Sequence, residues 1–112
     1  MTSALEKLGI VDDNSGVFAG DWSRSGGGAK IDKISPIDGR RLASIRTASD
    51  EDYQTTITRA QEAFEKWRRT PGPVRGDTVR RLGNALRELK HELGQLVTLE
   101  TGKIVAEGEG EV

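Results

Sequence analysis

The glycine–lysine pair in Thr101-Gly102-Lys103-Ile104 is where residue type and spacing come closest to a phosphate site. A phosphate loop wraps backbone N–H groups and a lysine around a polyphosphate, and a following Ser or Thr holds a magnesium ion. Here Ile104 follows the lysine, and Val97 stands where the pattern needs its first glycine. A left-handed glycine ending a helix, with a basic residue after it, accounts for the same four residues. Gly108-Glu109-Gly110 is half of a dinucleotide fingerprint, without the preceding strand or the third glycine that would complete it. Gly26-Gly27-Gly28 reads as a flexible connection, because no strong strand leads into it and no GK[ST] follows. His91 is the only histidine, and no cysteine accompanies it, so it reads as a solvated surface residue and not as a ligand. Arg40-Arg41, Arg68-Arg69 and Arg80-Arg81 are interspersed with carboxylates and read as solvated faces. The residues taken alone therefore offer no catalytic set and no cofactor-binding set.

Bulk composition narrows the class further. The 112 residues suffice for one small domain, and 17 basic against 18 acidic side chains leave a net charge of −1. Neither nucleic acid nor an anionic membrane surface has an electrostatic claim on such a chain. No apolar run is long enough to span a bilayer, and the first residues lack the basic flank and apolar stretch of a signal peptide. The absence of cysteine excludes disulfides and a thiol nucleophile within these residues, and the expected location is cytoplasmic. Leu, Ile, Val and Phe make up only about a fifth of the chain, close to the lower limit for a folded domain. Additional polypeptide to cover the apolar faces is expected on that ground alone.

The elements that must position any site are two hairpin segments followed by helices. A short turn of helix is expected at 4–8, and Val17 to Trp22 reads as a short strand running into a Gly-Asp turn. Ile31 and Ile34, the Pro36-Ile37-Asp38-Gly39 turn, and Leu42 and Ile45 spell a β-hairpin. Ser49 with Asp52 three residues on predicts a helix start. Tyr53, Ile57, Ala60, Phe64 and Trp67 form one apolar stripe at three-four spacing, ended by Thr70-Pro71-Gly72-Pro73. Val79, Leu82, Leu86, Leu89, Leu93 and Leu96 form a second stripe. A break is expected at 90–92, then a shorter helix to Thr101 with Gly102 as its terminator, and a last helix from Ile104. The predicted division is a lead-in and hairpin region at 1–48 and a helical region at 49–112. The run from Glu100 to Val112 carries no capping glycine, proline or polar tail at its end, so either its last turn frays or the sequence was meant to continue.

The order of several short motifs points to a family. Gly16-Val17-Phe18-Ala19-Gly20-Asp21-Trp22, Ser35-Pro36-Ile37-Asp38-Gly39, Ala60-Gln61-Glu62-Ala63-Phe64 with Trp67, Arg75-Gly76, Leu86-Arg87 and Leu99-Glu100-Thr101-Gly102-Lys103 occur co-linearly. Together they resemble the start of the NAD(P)-dependent aldehyde dehydrogenases. Leu8-Gly9, Asp52-Tyr53, Pro71-Gly72-Pro73, Leu93-Gly94-Gln95-Leu96-Val97 and Glu107-Gly108-Glu109-Gly110-Glu111-Val112 are most similar to the antiquitin branch, the α-aminoadipic semialdehyde (piperideine-6-carboxylate) dehydrogenases.

The resemblance implies an α/β parent fold, of which this chain is a mostly helical N-terminal portion with β-hairpin segments. It implies oxidation of an aldehyde to the acid with NAD or NADP, through a cysteine thiolate that this chain lacks, so the chain alone is expected to be inactive and to bind no cofactor. It also implies that the sequence continues beyond Val112. The implied partners are the remainder of an aldehyde dehydrogenase chain and, in the whole enzyme, further copies of itself. Region 49–112 would then begin the nucleotide-binding domain, the helices at 50–69 and 73–101 would pack on it, and the hairpin would lie near subunit contacts. The main-chain carbonyls of Ile34 and Glu100 match positions where family members hold a monovalent cation. A competing reading is a self-standing helical-hairpin interaction module, in which the two stripes close on each other or on a second copy.

Overall fold

A computed structural model describes residues 3–23 and 27–112. Gly26 of the glycine triplet lies outside the described residues.

The chain begins with a single helical turn, α1 (Ala4–Lys7), closed by a reciprocal capping box. Ser3 Oγ accepts from the Glu6 N–H, and the Glu6 carboxylate accepts from the Ser3 N–H at 2.9 Å. A three-stranded sheet follows: β1 (Asp13–Ser15), β2 (Lys30–Ile34) and β3 (Arg41–Arg46), in the order β1-β3-β2. β2 and β3 are the two arms of the hairpin, antiparallel with Ile31 opposite Ile45. Gly39 takes φ +74 in the connecting turn, and the Ser35 N–H donates to Arg40 O across its base at 2.9 Å. The pairing slips between Lys33 and Ile34, a local irregularity at the end of β2.

β1 has no counterpart in the sequence reading. It runs parallel to β3, with Asn14 opposite Ile45. Asp-Asn-Ser has no β-forming composition, and the segment is held from outside: the Asn14 side-chain amide donates to Val11 O at 2.7 Å and to Ser44 O at 3.1 Å. Val17 to Trp22 is corrected as well. It is a tight loop closed by one antiparallel bridge between Phe18 and Trp22, turning through Gly20 at φ +99, with the two aromatic rings packed edge to face.

The helices are α2 (Asp50–Trp67), α3 (Gly72–Glu88), α4 (Lys90–Thr101) and α5 (Val105–Glu111). Ser49 caps α2 as expected: its Oγ accepts from the Asp52 N–H at 3.1 Å and the Asp52 carboxylate accepts from the Ser49 N–H at 2.9 Å. Pro73 sits in the first turn of α3, where its missing N–H costs nothing. The break between α3 and α4 falls at Leu89, just before the expected 90–92, and Leu89 serves as cap to both helices. Gly102 ends α4 with φ +78, its N–H donating to Thr98 O at 2.9 Å.

Little is buried. Ala4, Val17 and Ala43 are the buried apolar side chains among the described residues, joined by Ser35 and Ser44. Neither α2 nor α3 buries a single residue. Tyr53, Ile57, Phe64 and Trp67 of the first stripe, and Val79, Leu82, Leu86 and Leu89 of the second, are all exposed, Val79 by 63%. The closure of one stripe on the other that a self-standing helical hairpin needs does not occur within one copy.

Candidate functional site

A buried hydroxyl joins the hairpin to α4. Ser35 is 1% exposed, and its hydroxyl donates to Leu99 O at 2.8 Å while accepting from the Ile37 N–H at 3.3 Å. A buried hydroxyl satisfied on both sides fixes its two segments in register. Ile34 precedes Ser35 at the end of β2 and Glu100 follows Leu99, so the fold brings together the two positions singled out by resemblance. Their side chains differ in character from a ligand pair. Ile34 is exposed, and the Glu100 carboxylate lies 3.8 Å from Lys33 Nζ. The Glu100 carbonyl is one of the last four of α4, which no intrahelical donor reaches. Among the described residues no backbone N–H donates to it, and such an orphan oxygen is the type of group a cation or a later donor satisfies.

A half-open cavity of about 780 Å³ lies beside this junction, walled by Leu5, Leu8, Ile10, Trp22, Ile45 and Leu96. The charges at its rim are matched within the fold: Arg46 holds Asp13 at 2.8 Å, and Lys33 faces Glu100.

On the sheet, Arg41 is the hub of a network that sequence reasoning missed by treating Arg40-Arg41 as a solvated pair. Its guanidinium donates to Asp12 Oδ1, to Asp32 Oδ1 at 2.9 Å and to the Ser44 hydroxyl, which in turn donates to Asp32. Arg41 holds the Asp12 carboxyl below its ordinary range; the Ser44 hydroxyl, then Arg41, does the same for Asp32, and Arg41 itself is pushed up by the two carboxylates. Asp32 and Ser44 face each other across β2 and β3, and the register shift at Lys33/Ile34 lies beside Arg41, relations that neither strand's own sequence names.

The other candidates resolve physically. Gly27 donates its N–H to the Asp52 carboxylate at 3.0 Å, and a Cβ on Gly28 would stand 2.6 Å from Ala48 O. These two glycines therefore serve close packing, with an anion already supplied by the protein. Lys103 closes on Glu111 at 2.6 Å, which raises the lysine pKa and lowers that of the glutamate. Gly108 lies inside α5 against Gly94. Among the described residues no glycine turn lies between a strand and a helix. His91, expected to be free in solvent, is exposed but engaged: its Nδ1 is 2.7 Å from Glu109 Oε1. The arginine pairs on the helices do face solvent, Arg80 on Asp77 at 2.7 Å and Arg68 near Glu65 at 3.6 Å. No group of three or more His, Asp or Glu side chains at metal-binding spacing exists among the described residues.

Comparison with known proteins places this architecture. The aldehyde dehydrogenase family pattern matches residues 22–112. The chain belongs to the aldehyde dehydrogenase family. It is 46% identical over 108 residues to the α-aminoadipic semialdehyde dehydrogenase of Rattus norvegicus and 44% identical to that of Bos taurus, each match covering 96% of this chain and 20% of the relative. Among solved structures, a betaine aldehyde dehydrogenase of Staphylococcus aureus, crystallised with NAD+, superposes with a TM-score of 0.82 at 26% identity, covering 98% of this chain and 22% of the other. The chain thus spans about a fifth of the length of the aldehyde dehydrogenases it matches. The expected α/β parent fold and the antiquitin-like resemblance both hold, and no helix of the described residues is long and apolar enough to cross a membrane.

Proposed function

We propose that this chain is the N-terminal portion of an NAD(P)+-dependent aldehyde dehydrogenase that oxidises a semialdehyde, of the α-aminoadipic type, to its acid. The observation that carries the reading is the match over 96% of this chain and only 20% of a semialdehyde dehydrogenase. Two helices that bury nothing support it, since a stripe such as Tyr53 to Trp67 is costly to leave in water. Residues 1–48 then form the lead-in and hairpin region, and 49–112 the start of the nucleotide-binding domain, with α2 and α3 packing on polypeptide that follows. The parent enzyme is cytoplasmic and a homo-oligomer. This chain contributes scaffold: it has no cysteine to attack an aldehyde.

The carbonyls of Ile34 and Glu100 are proposed to hold a monovalent cation at the hairpin–α4 junction. The Ser35–Leu99 bond, which fixes the two segments in register, and the unmatched helix-end carbonyl support this assignment. Bound there, the ion would satisfy backbone oxygens and brace the junction.

A full-length polypeptide carrying this chain is expected to reduce NAD+ when given α-aminoadipic semialdehyde, and the 112-residue chain alone to give no such signal. Full-length protein that folds and binds NAD+ but oxidises no semialdehyde would overturn the substrate assignment. Exchanging sodium or potassium for a bulky organic cation should lower the melting temperature of the same protein. An unchanged melt would remove the cation site.

A further inference from the structure

β2 is an edge strand whose outer side pairs with no strand among the described residues. The sheet runs β1-β3-β2, so β3 is flanked on both sides and β2 on one. The hydrogen bonds of β3 show which way each backbone group points. The Ser44 N–H donates to Asp12 O at 2.9 Å, and the Gly16 N–H donates to Arg46 O at 2.8 Å, so Ser44 and Arg46 turn toward β1. Ala43 and Ile45 turn the other way, toward their β2 partners Lys33 and Ile31. The backbone groups of Lys30 and Asp32 therefore point outward, and an unpaired row of this kind is a template for another strand.

The charges on this edge say which strand fits it. Lys30 and Asp32 stand two residues apart, and both side chains are exposed, although Asp13 lies 3.8 Å from the first and Arg41 2.9 Å from the second. A second β2 laid antiparallel along the edge can centre on Lys30, on Ile31 or on Asp32. Centring on Lys30 or on Asp32 sets a charge directly opposite its own copy, which is destabilising. Centring on Ile31 sets Lys30 of each copy opposite Asp32 of the other, with the outward backbone groups of both residues facing each other. Ile31 then lies opposite its own copy. It is exposed and shares a face with exposed Ile45, its partner across β2 and β3, so the pairing lines these isoleucines and their copies into one apolar row.

We propose that the free edge of β2 is a self-association surface, on which a second copy of this chain adds antiparallel about Ile31 and joins two three-stranded sheets into one. The contact is isologous, with its two-fold axis passing between the two copies of Ile31. Backbone hydrogen bonds supply the affinity, the Lys30–Asp32 pairs set the register and the isoleucine row covers one face of the join. A ribbon of five residues a side covers far less than the roughly 1,200 Å² of a stable interface, so the pairing is weak and concentration-dependent. It goes beyond the dehydrogenase reading: it names where copies meet, and its test reads association and not activity.

The chain has no cysteine, so a single introduced thiol reports on one position. In the proposed register the two copies of residue 31 form a non-hydrogen-bonded pair with Cα atoms about 4.5 Å apart, a separation that a disulfide spans. Residue 33 instead lies opposite Ala29, on the order of 13 Å along the strand from its own copy. Under a mild oxidant, with each rate normalised to the thiol's reaction with a small disulfide reagent, Ile31→Cys should form covalent dimer at least about tenfold faster than Lys33→Cys. Adding Lys30→Glu to Ile31→Cys should slow the dimer about five- to tenfold, because both cross-strand pairs become repulsive. Raising salt from about 0.05 M to about 1 M should slow it several-fold relative to Lys33→Cys, with Lys30 left in place. Circular dichroism checks that each variant keeps the parent fold. Dimer forming no faster in Ile31→Cys than in Lys33→Cys, or a rate that neither Lys30→Glu nor salt changes, would overturn the proposal.

Discussion

Gly108 meets the carbonyl of Gly94 so closely that a methyl group on Gly108 would occupy the same space as that oxygen. Neither glycine is there for its φ, since both lie inside helices and take no positive value. Gly108→Ala should therefore undock α5 or destabilise the chain by roughly 1–3 kcal/mol, the usual range for overpacking. Gly83→Ala is the matched control. Its nearest neighbour would be the Arg87 guanidinium at 3.6 Å, so the helix should gain up to about 1 kcal/mol. Thermal melts of the two variants read the difference.

Removing the buried Ser35 hydroxyl deprives the Leu99 carbonyl and the Ile37 N–H of their shared partner. Ser35→Ala should cost about 1–3 kcal/mol. Ser35→Thr keeps the hydroxyl but adds a methyl to a buried position, so it should recover only part of the loss. Denaturant unfolding gives both values, and a Ser35→Ala variant as stable as the parent would contradict the role assigned to the junction.

The cap of α2 offers a separable measurement. Asp52 accepts from Ser49 N–H, from Gly27 N–H and from the Ser49 hydroxyl, and these donors, the backbone of Ser49 first, hold its pKa below 3.8. Asp52→Ala should lower stability, and Ser49→Ala should lower it by roughly 1 kcal/mol. The double variant should cost less than the sum, because both changes break the same hydrogen bonds.

Acid should act on the same carboxylates. Asp12, Asp32 and Asp52 have folded pKa values below their ordinary 3.8, and Lys7 and Glu111's partner Lys103 likewise hold Glu92 and Glu111 below 4.5. A depressed value means the stabilisation is complete above the unfolded pKa and is lost as pH falls through the folded one. Stability should therefore decline below about pH 4.5 and continue to fall past the ordinary aspartate range. Circular dichroism against pH locates the decline. Arg41→Gln should leave a smaller acid-dependent loss, since Asp12 and Asp32 then lack their shared partner.

The unburied stripes give the last expectation. Phe64→Ser and Trp67→Ser remove exposed surface in the isolated chain, so stability should move by no more than about 0.5 kcal/mol while binding of a hydrophobic dye falls. In the full-length enzyme the same substitutions should cost several-fold more if, as proposed, α2 packs on the polypeptide that follows.

Local signals in the sequence carried the hairpin turn at Asp38-Gly39, the Ser49 cap, the Thr70 to Pro73 breaker and the Gly102 terminator, because each is written in residues whose φ or side chain acts on its own neighbours. What remained hidden depends on residues far apart. β1 is a strand only because β3 lies beside it, and Asp-Asn-Ser alone says the opposite. Ser35 and Ser44 are small polar residues whose burial is set by elements that no local pattern names. The Arg41 network needed the sheet to bring Asp12 and Asp32 to one place. Ile34 and Glu100 illustrate the limit most plainly: a carbonyl leaves no mark on side-chain identity, so only resemblance pointed to them.

The hydrogen bond between Ser35 and Leu99 joins positions 64 residues apart in the chain. On a ribosome, the hairpin leaves the exit before α4 does, and the small sheet it forms with β1 has only a little apolar surface to rest on. It must wait through the synthesis of α2 and α3 before α4 arrives to moor it. The birth of this region is thus ordered in time, with the hairpin settling only after the later-made α4 has emerged.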